Sequence, residues 1–309
     1  MVRKNIKRVL VLSTVAAFVL IMMAALAILI APPPLIAIKT PKPEIATTPE
    51  LYPGALNYKY PDLKSGLITV PRYYISDIPG KINTLPTKEK KRIFTNAVLP
   101  LILKANELIL EDRERATALV ERIKNHKTIK KADQNWFINL LKRYKFKTTE
   151  GLGNINFELL FNRLDVIPPS LAIAQAAIES GWGSSRFAQQ GNALYGQWTW
   201  GRGEAEGMVP KGRETGETHS IRSFRTPMES VLGYVSNLNT HSAYTNFRDL
   251  RAYARVNGYK PSGIELAETL ISYSTRKENY ILDLKNIIYI NNFLALDEAK
   301  LLKQSFFQP

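Results

Sequence analysis

Ala174-Gln175-Ala176-Ala177-Ile178-Glu179-Ser180-Gly181-Trp182-Gly183 closes a segment that opens at Pro168-Pro169-Ser170 and continues through Leu171-Ala172-Ile173. The side chains are small and apolar almost all the way round a helical period, which predicts a helix enclosed by others rather than one lying on a surface. Glu179 falls in its last turn. A carboxylate there faces the negative end of the helix dipole, and Ile178 and Trp182 stand beside it. Both effects disfavour the charged form and raise the pKa, which suits a general acid. The plain structural alternative is a glutamate paired with a neighbouring arginine such as Arg186.

Outward from this helix the chain reads as mainly α. From Thr87, a helical period brings Ile93, Phe94, Ala97, Val98, Leu101, Ile102, Ala105, Leu108 and Ile109 to one face, with Pro100 expected to kink the helix. A second run uses Ala116, Leu119, Val120 and Ile123, and a third uses Trp136, Phe137, Leu140, Leu141 and Tyr144. Thr226-Pro227-Met228-Glu229 and Ser262-Gly263-Ile264-Glu265 both fit a capping box, and a final helix carries Tyr280, Ile281, Leu284, Ile287 and Ile288. Between Gly181 and Gly216 the period is lost and glycine is dense. Strands are expected only there, as a short hairpin closed near Thr215-Gly216.

The chain of 309 residues carries 42 Lys+Arg against 27 Asp+Glu, a formal charge of +15, and no cysteine. Disulfides, thiol nucleophiles and cysteine-bound metals are thereby excluded, and with only His126, His219 and His241 no metal or other cofactor is expected. Arg3, Lys4, Lys7 and Arg8 precede 23 residues, Val9 to Ala31, whose only polar side chains are Ser13 and Thr14. That length spans a hydrocarbon core of about 30 Å and favours an uncleaved anchor over a signal peptide, although Ala25-Leu26-Ala27 offers a small-x-small cleavage site. Basic residues ahead of the span keep the N-terminus cytoplasmic and put the rest outside, in the periplasm of a cell with two membranes. Export argues against nucleic acid as the partner of this basic chain. Eleven of 18 prolines lie between Pro32 and Pro86, which reads as an extended spacer. The organisation expected is residues 1–31 anchor, 32–86 linker, 87–150 helical part, 151–292 main domain and 293–309 tail.

The same string, followed by Gly191-Asn192-Ala193-Leu194-Tyr195-Gly196, resembles the family 73 glycoside hydrolases, the bacterial N-acetylglucosaminidases. The run from Phe224-Arg225 to Glu229-Ser230-Val231 and Tyr234 is similar to the helix start after that family's β-hairpin, and Tyr273-Ser274-Thr275 with Tyr280 resembles its tyrosine motif. With the anchor and Asn237 to Tyr244, the chain looks most like the membrane-anchored Bax proteins of Gram-negative bacteria. The resemblance covers about Asp165 to Asn292. Two departures stand out: Arg276 occupies a position where the family commonly has Asp, and the spacing to Tyr280 is one residue longer.

The resemblance implies a lysozyme-like fold, peptidoglycan glycan strands as substrate, and Glu179 as the acid in cleavage of the β-1,4 bond after N-acetylglucosamine. It also implies a second acid on the hairpin, for which Glu214 ranks first and Glu206 close behind, with Glu204 and Glu217 in the same window, and a role for Tyr273. Aromatic faces pack against sugar C–H groups, so Trp182, Tyr195, Trp198, Trp200 and Tyr244 are candidate substrate-binding residues, with Gln197, Asn239 and His241 as hydrogen-bonding partners. Gly201-Arg202-Gly203 lacks the lysine of a phosphate loop. Two rivals stay open: a tethered wall-binding scaffold without catalysis, and a lytic transglycosylase, in which one glutamate suffices.

Overall fold

The computed structural model describes residues 69–148, 152–199, 207–213 and 216–303; the expected membrane span and most of the proline-rich spacer lie outside them. Within those residues the fold is mainly helical. Strand β1 (Thr69–Val70) leads to helices α1 (Thr87–Lys124), α2 (Lys131–Arg143), α3 (Phe157–Arg163), α4 (Pro169–Ser180) and α5 (Arg186–Gly191). Strands β2 (Trp198–Thr199), β3 (Gly207–Met208) and β4 (Ser220–Arg222) follow, then α6 (Pro227–Thr240), α7 (Thr245–Val256), α8 (Gly263–Ala267), α9 (Glu278–Ile290), the 3-10 turn Phe293–Glu298 and β5 (Lys300–Leu301).

Helix α4 is the axis. Pro169 through Ala177 and Ser180 are all buried, and α1, α8, α9 and the turn Phe293–Glu298 pack around them. The two apolar runs expected as separate helices form one helix, α1, of 38 residues that continues through Pro100. The missing amide of proline costs a hydrogen bond, but Val98, Leu99, Leu101 and Ile102 are sealed in the core on either side, and that burial holds the helix together. By length and composition α1 is also apolar enough to cross a membrane. Its most apolar window is 72% buried inside the fold, so it is a core helix and not the expected anchor.

Strands extend beyond the window expected for them. The three-stranded sheet has β4 at its centre, antiparallel to both β2 and β3, with Trp198 opposite Ile221 and Gly207 opposite Arg222. A second pair joins β1 to β5 in parallel, Thr69 beside Lys300. It ties the two ends of the described chain to α1, where Arg72 holds Glu107 at 2.6 Å and donates to the carbonyl of Leu302 at 2.6 Å. One hydrophobic core runs from Val70 to Leu301 and includes both α1 and the residues after 292. A small separate cluster of Ala193, Ile221 and Phe224 supports the sheet.

Local signals explain the ends of several helices. Ser262 and Glu265 form the complete capping box expected at α8. At α6 the Thr226 side chain accepts from Glu229 N, but the Glu229 carboxylate turns to the backbone and guanidinium of Arg225 instead. The start of α4 is capped from far away. Asp297 accepts from the backbone and hydroxyl of Ser170, each at 2.8 Å. Residues 293–301, expected as part of a tail, thus close the amino end of the central helix.

The loop into α4 is fixed by a buried charge cluster. Asp165, 1% exposed, hydrogen-bonds Arg255 and lies 3.9 Å from both Arg113 and Arg251. Burial raises its pKa, but the Arg255 hydrogen bond and the charges of Arg251 and Arg113 outweigh it and hold the carboxyl below its usual range. Its contribution to stability is therefore present above the unfolded carboxyl pKa and is lost as pH falls through the lower folded value. Asp165→Asn leaves Arg251, 4% exposed, without its counter-ion. We expect denaturant unfolding at pH 7 to show a loss of about 3–5 kcal/mol, with a flatter acid dependence in the variant than in the parent.

Candidate active site

The end of α4 is built to stop abruptly. Gly181, Trp182 and Gly183 take φ of 58°, 58° and 76° in succession, and a Cβ on Gly183 would sit 3.0 Å from the Phe94 ring. Ser180 stitches the turn by accepting from Gly183 N at 2.8 Å and donating to the Ala176 carbonyl. Glu179 is thereby held half-buried in the last turn. Burial raises its pKa, opposed by a hydrogen bond from the Tyr280 hydroxyl and by the charge of Arg276. Arg186 does not pair with it, since that guanidinium donates to the carbonyl of Val209 at 2.7 Å and lies over Phe187.

A wall of tyrosines stands beside the carboxylate. Tyr280 on α9 stacks on Tyr273 with centroids 5.5 Å apart and planes 8° apart, and Tyr273 meets Tyr244 at 6.0 Å. The hydroxyl of Tyr273 donates to the carbonyl of Tyr195 at 3.3 Å. Burial first, then Tyr280 and Glu179, push the Tyr273 hydroxyl up, and burial pushes Tyr244 up to about 12, so both stay neutral donors. Arg276, the departure from the family pattern, is ion-paired with Asp283 and contributes positive charge toward Glu179. The extra residue before Tyr280 lies in a turn where Lys277 adopts φ 50° and ψ −122°, a strained conformation for a side-chain-bearing residue, directly ahead of α9.

Gly196 forms the floor. Its φ is +59°, and a Cβ there would stand 3.2 Å from Glu179 Oε2. Beyond it, Gln197 is half-buried with a side-chain oxygen that has no hydrogen-bond partner among the described residues. Trp198 follows, 52% exposed, its ring stacked on His219 at 4.4 Å and 11°. The stacked pair lies beside the small sheet, with the Trp198 ring the more open of the two.

The other residues expected at the binding surface have varied surroundings. Tyr195 is 2% exposed and stacks on Tyr234 at 3.9 Å, so it belongs to the core. Asn239 is fully buried and donates to the Asp165 carbonyl at 2.9 Å. Trp182 is half-buried, packing on Phe94 and Phe293 under the ammonium of Lys91. Tyr244 is buried but close enough to Glu179 to feel its charge. His241 is exposed, its Nδ1 accepting from Ala243 N. Glu204, Glu206, Glu214 and Trp200 lie outside the described residues, and Glu217 sits at 3.3 Å from His219 Nδ1. Gln175 and Tyr234 stand within the strings that carry the family resemblance, but the sequence assigns neither a role. The available signal was a lone amide in an otherwise apolar helix, one turn before Glu179. Among the described residues no group of three or more His, Cys, Asp or Glu is placed to hold a metal ion.

Residues 156–293 match the glucosaminidase family model, described as mannosyl-glycoprotein endo-beta-N-acetylglucosaminidase. Protein bax of Escherichia coli (strain K12) is 32% identical over 194 residues, which is 62% of this chain and 66% of that protein, just under two thirds of its length. No solved structure matches the chain. The family match begins at α3, so α1 and α2 lie ahead of it while sharing its core.

Gly196 tests how closely the backbone must approach Glu179. Gly196→Ala puts a Cβ in the left-handed region at a cost of about 1–2 kcal/mol and within 3.2 Å of the carboxylate. A lower melting temperature should be accompanied by a changed Glu179 titration, whereas Gly212→Ala, where a Cβ meets nothing within 4 Å, should leave that titration unmoved.

Proposed function

Because the chain belongs to the Bax-like glucosaminidase-domain proteins, a peptidoglycan-related glycosidase family, we propose that it is a hydrolase cleaving the β-1,4 bond after N-acetylglucosamine, with Glu179 as general acid. The observation that carries this reading is the setting of Glu179. It is a half-buried carboxyl at the end of an enclosed helix, without a direct ion pair among the described residues and flanked by neutral hydroxyls. Such a group holds its proton to higher pH than an exposed carboxyl does and can pass it to the leaving glycosidic oxygen as the C1–O bond breaks.

Charge then builds on the sugar, and something must stabilise it or activate water. Glu214 is the first candidate for that second acid and Glu206 the next, with Tyr273 beside Glu179 assisting. The exposed Trp198 ring, backed by His219, offers a platform for a sugar ring, Gln197 an unmet acceptor for a donor group such as an acetamide N–H or hydroxyl, and His241 a polar rim. The span from Val9 to Ala31 anchors the protein in the inner membrane with the catalytic domain in the periplasm, and the positive charge suits a carboxylate-bearing wall.

Mass spectrometry of muropeptides released from purified wall tests the reaction. Hydrated reducing ends at N-acetylglucosamine support it, and anhydro ends or no release overturn it. Glu179→Gln keeps shape but removes the titrating proton, so turnover should fall by about 10²–10⁴-fold. The sign for stability is opposite. A carboxyl with a raised folded pKa destabilises the fold once ionised, so Glu179→Gln should unfold at the same or a higher temperature than the parent above neutral pH. Alanine at Glu204, Glu206, Glu214 and Glu217 in turn should single out one strongly impaired variant. Retention with inner membranes after high-salt washing, with protease sensitivity in spheroplasts, checks the anchor and its orientation.

A further inference from the structure

Behind Glu179 lies a run of buried polar groups that the reaction above does not use. Tyr234 Oη, on α6, donates to Gln175 Oε1 at 2.7 Å, and Gln175 Nε2, on α4, donates to Tyr280 Oη at 3.1 Å. Glu179 lies one helical turn beyond Gln175 on α4, and Tyr280 is close enough to act on its titration. Gln175 and Tyr234 are fully buried and Tyr280 is 1% exposed, so none of the three can exchange these partners for water.

The direction of the run follows from the chemistry of its members. In its ionised form the carboxylate only accepts, so in that state Tyr280 spends its single hydroxyl proton on Glu179. Its oxygen is then left to accept, and the group facing it has to be a donor. Gln175 meets that need only with its amide nitrogen toward Tyr280 and its oxygen away. That oxygen needs a donor of its own, which Tyr234 supplies. A flipped amide would present an acceptor to Tyr280 and draw its proton off Glu179. Tyr234 is itself locked in place by its stack on Tyr195.

We propose that Tyr234 and Gln175 are positioning residues which hold Tyr280 as a hydrogen-bond donor to Glu179, so that the transferable proton of Glu179 resides on the carboxyl oxygen that Tyr280 does not occupy. This rests on the reading of Glu179 as the acid. It adds that the acid's proton is directed from a buried tyrosine two hydrogen bonds beyond Tyr280. Packing alone does not need this arrangement, because an apolar residue of similar volume at 175 would fill the same space without polar groups to satisfy. The other groups that act on Glu179 among the described residues are Arg276, which is paired with Asp283, and the neutral hydroxyls of Tyr273 and Tyr244.

The test is a carbon-13 titration of the Glu179 carboxyl in the full chain, held in detergent and labelled at glutamate, with the signal assigned by its loss in Glu179→Gln. Removing a donor to a carboxylate raises its pKa, so Tyr280→Phe should move the midpoint up by about one pH unit, and Tyr234→Phe and Gln175→Leu by about half a unit each. In a Tyr280→Phe background, Tyr234→Phe should add no further shift, since its influence passes through Tyr280. Tyr234→Phe keeps the ring and its stack, which covers the case in which Gln175→Leu fails to fold. An unmoved midpoint in Tyr234→Phe, or an equal shift with and without Tyr280, overturns the proposal. Wall turnover is measured in parallel. Shifted midpoints in a protein that releases no muropeptides keep the relay and sink the hydrolase reading, whereas Glu179-dependent turnover with unmoved midpoints does the reverse.

Discussion

The enclosure of α4 is the constraint on which the other elements depend. A helix buried on every side cannot hydrate its ends, so each end must be satisfied by the protein. At the amino end Asp297 does this from the far end of the chain. At the carboxyl end three consecutive residues of positive φ turn the backbone away, and Ser180 closes the gap. The neighbours must also come close. A Cβ on Gly263 would lie 2.8 Å from the Leu171 amide nitrogen, so glycine at the start of α8 is what lets that helix seat against α4. With both ends and the flanks fixed, Glu179 has little freedom in where its carboxylate emerges.

This rigidity has a chemical consequence. Helices α4, α6 and α9 present Gln175, Tyr234 and Tyr280 to one another inside a core from which water is excluded. Unpaired, each would cost about 1–3 kcal/mol, yet each has a partner of the complementary kind. The polar atoms therefore stabilise one arrangement of the three helices over its neighbours. The same low-dielectric surroundings that penalise an unmade hydrogen bond also raise the pKa of Glu179, so packing and acid strength have a common origin.

The opposite side of the site is lightly built. The sheet has strands of two or three residues, supported by a cluster of only Ala193, Ile221 and Phe224 with Phe187 against it. Few buried contacts mean a low local cost of rearrangement. The firmly packed helices carry Glu179, and the lightly held sheet carries the exposed Trp198 ring stacked on His219.

Much of this was readable before any coordinates. The all-apolar circumference of α4 announced its burial, and Glu179 was legible because the residues that set its environment, Ile178 and the glycines, are its neighbours in sequence. Helical periodicity located α1, α2, α6, α8 and α9, although it divided α1, since a proline and a stretch of charges weaken the pattern locally while the core overrides them. Tertiary structure alone decided which aromatic residues are open to solvent. Tyr195, Trp182 and Trp198 lie close together in sequence, yet one is core, one is half-buried against the core and one is open, because only the packing of α6, α1 and the 293–298 turn determines what each ring meets. The partners of Glu179 were equally hidden: Gln175 meets Tyr234 across 59 residues of chain and Tyr280 across 105. Sequence spacing reports on neighbours within a turn or two, whereas hydrogen bonds between helices depend on how the whole core closes.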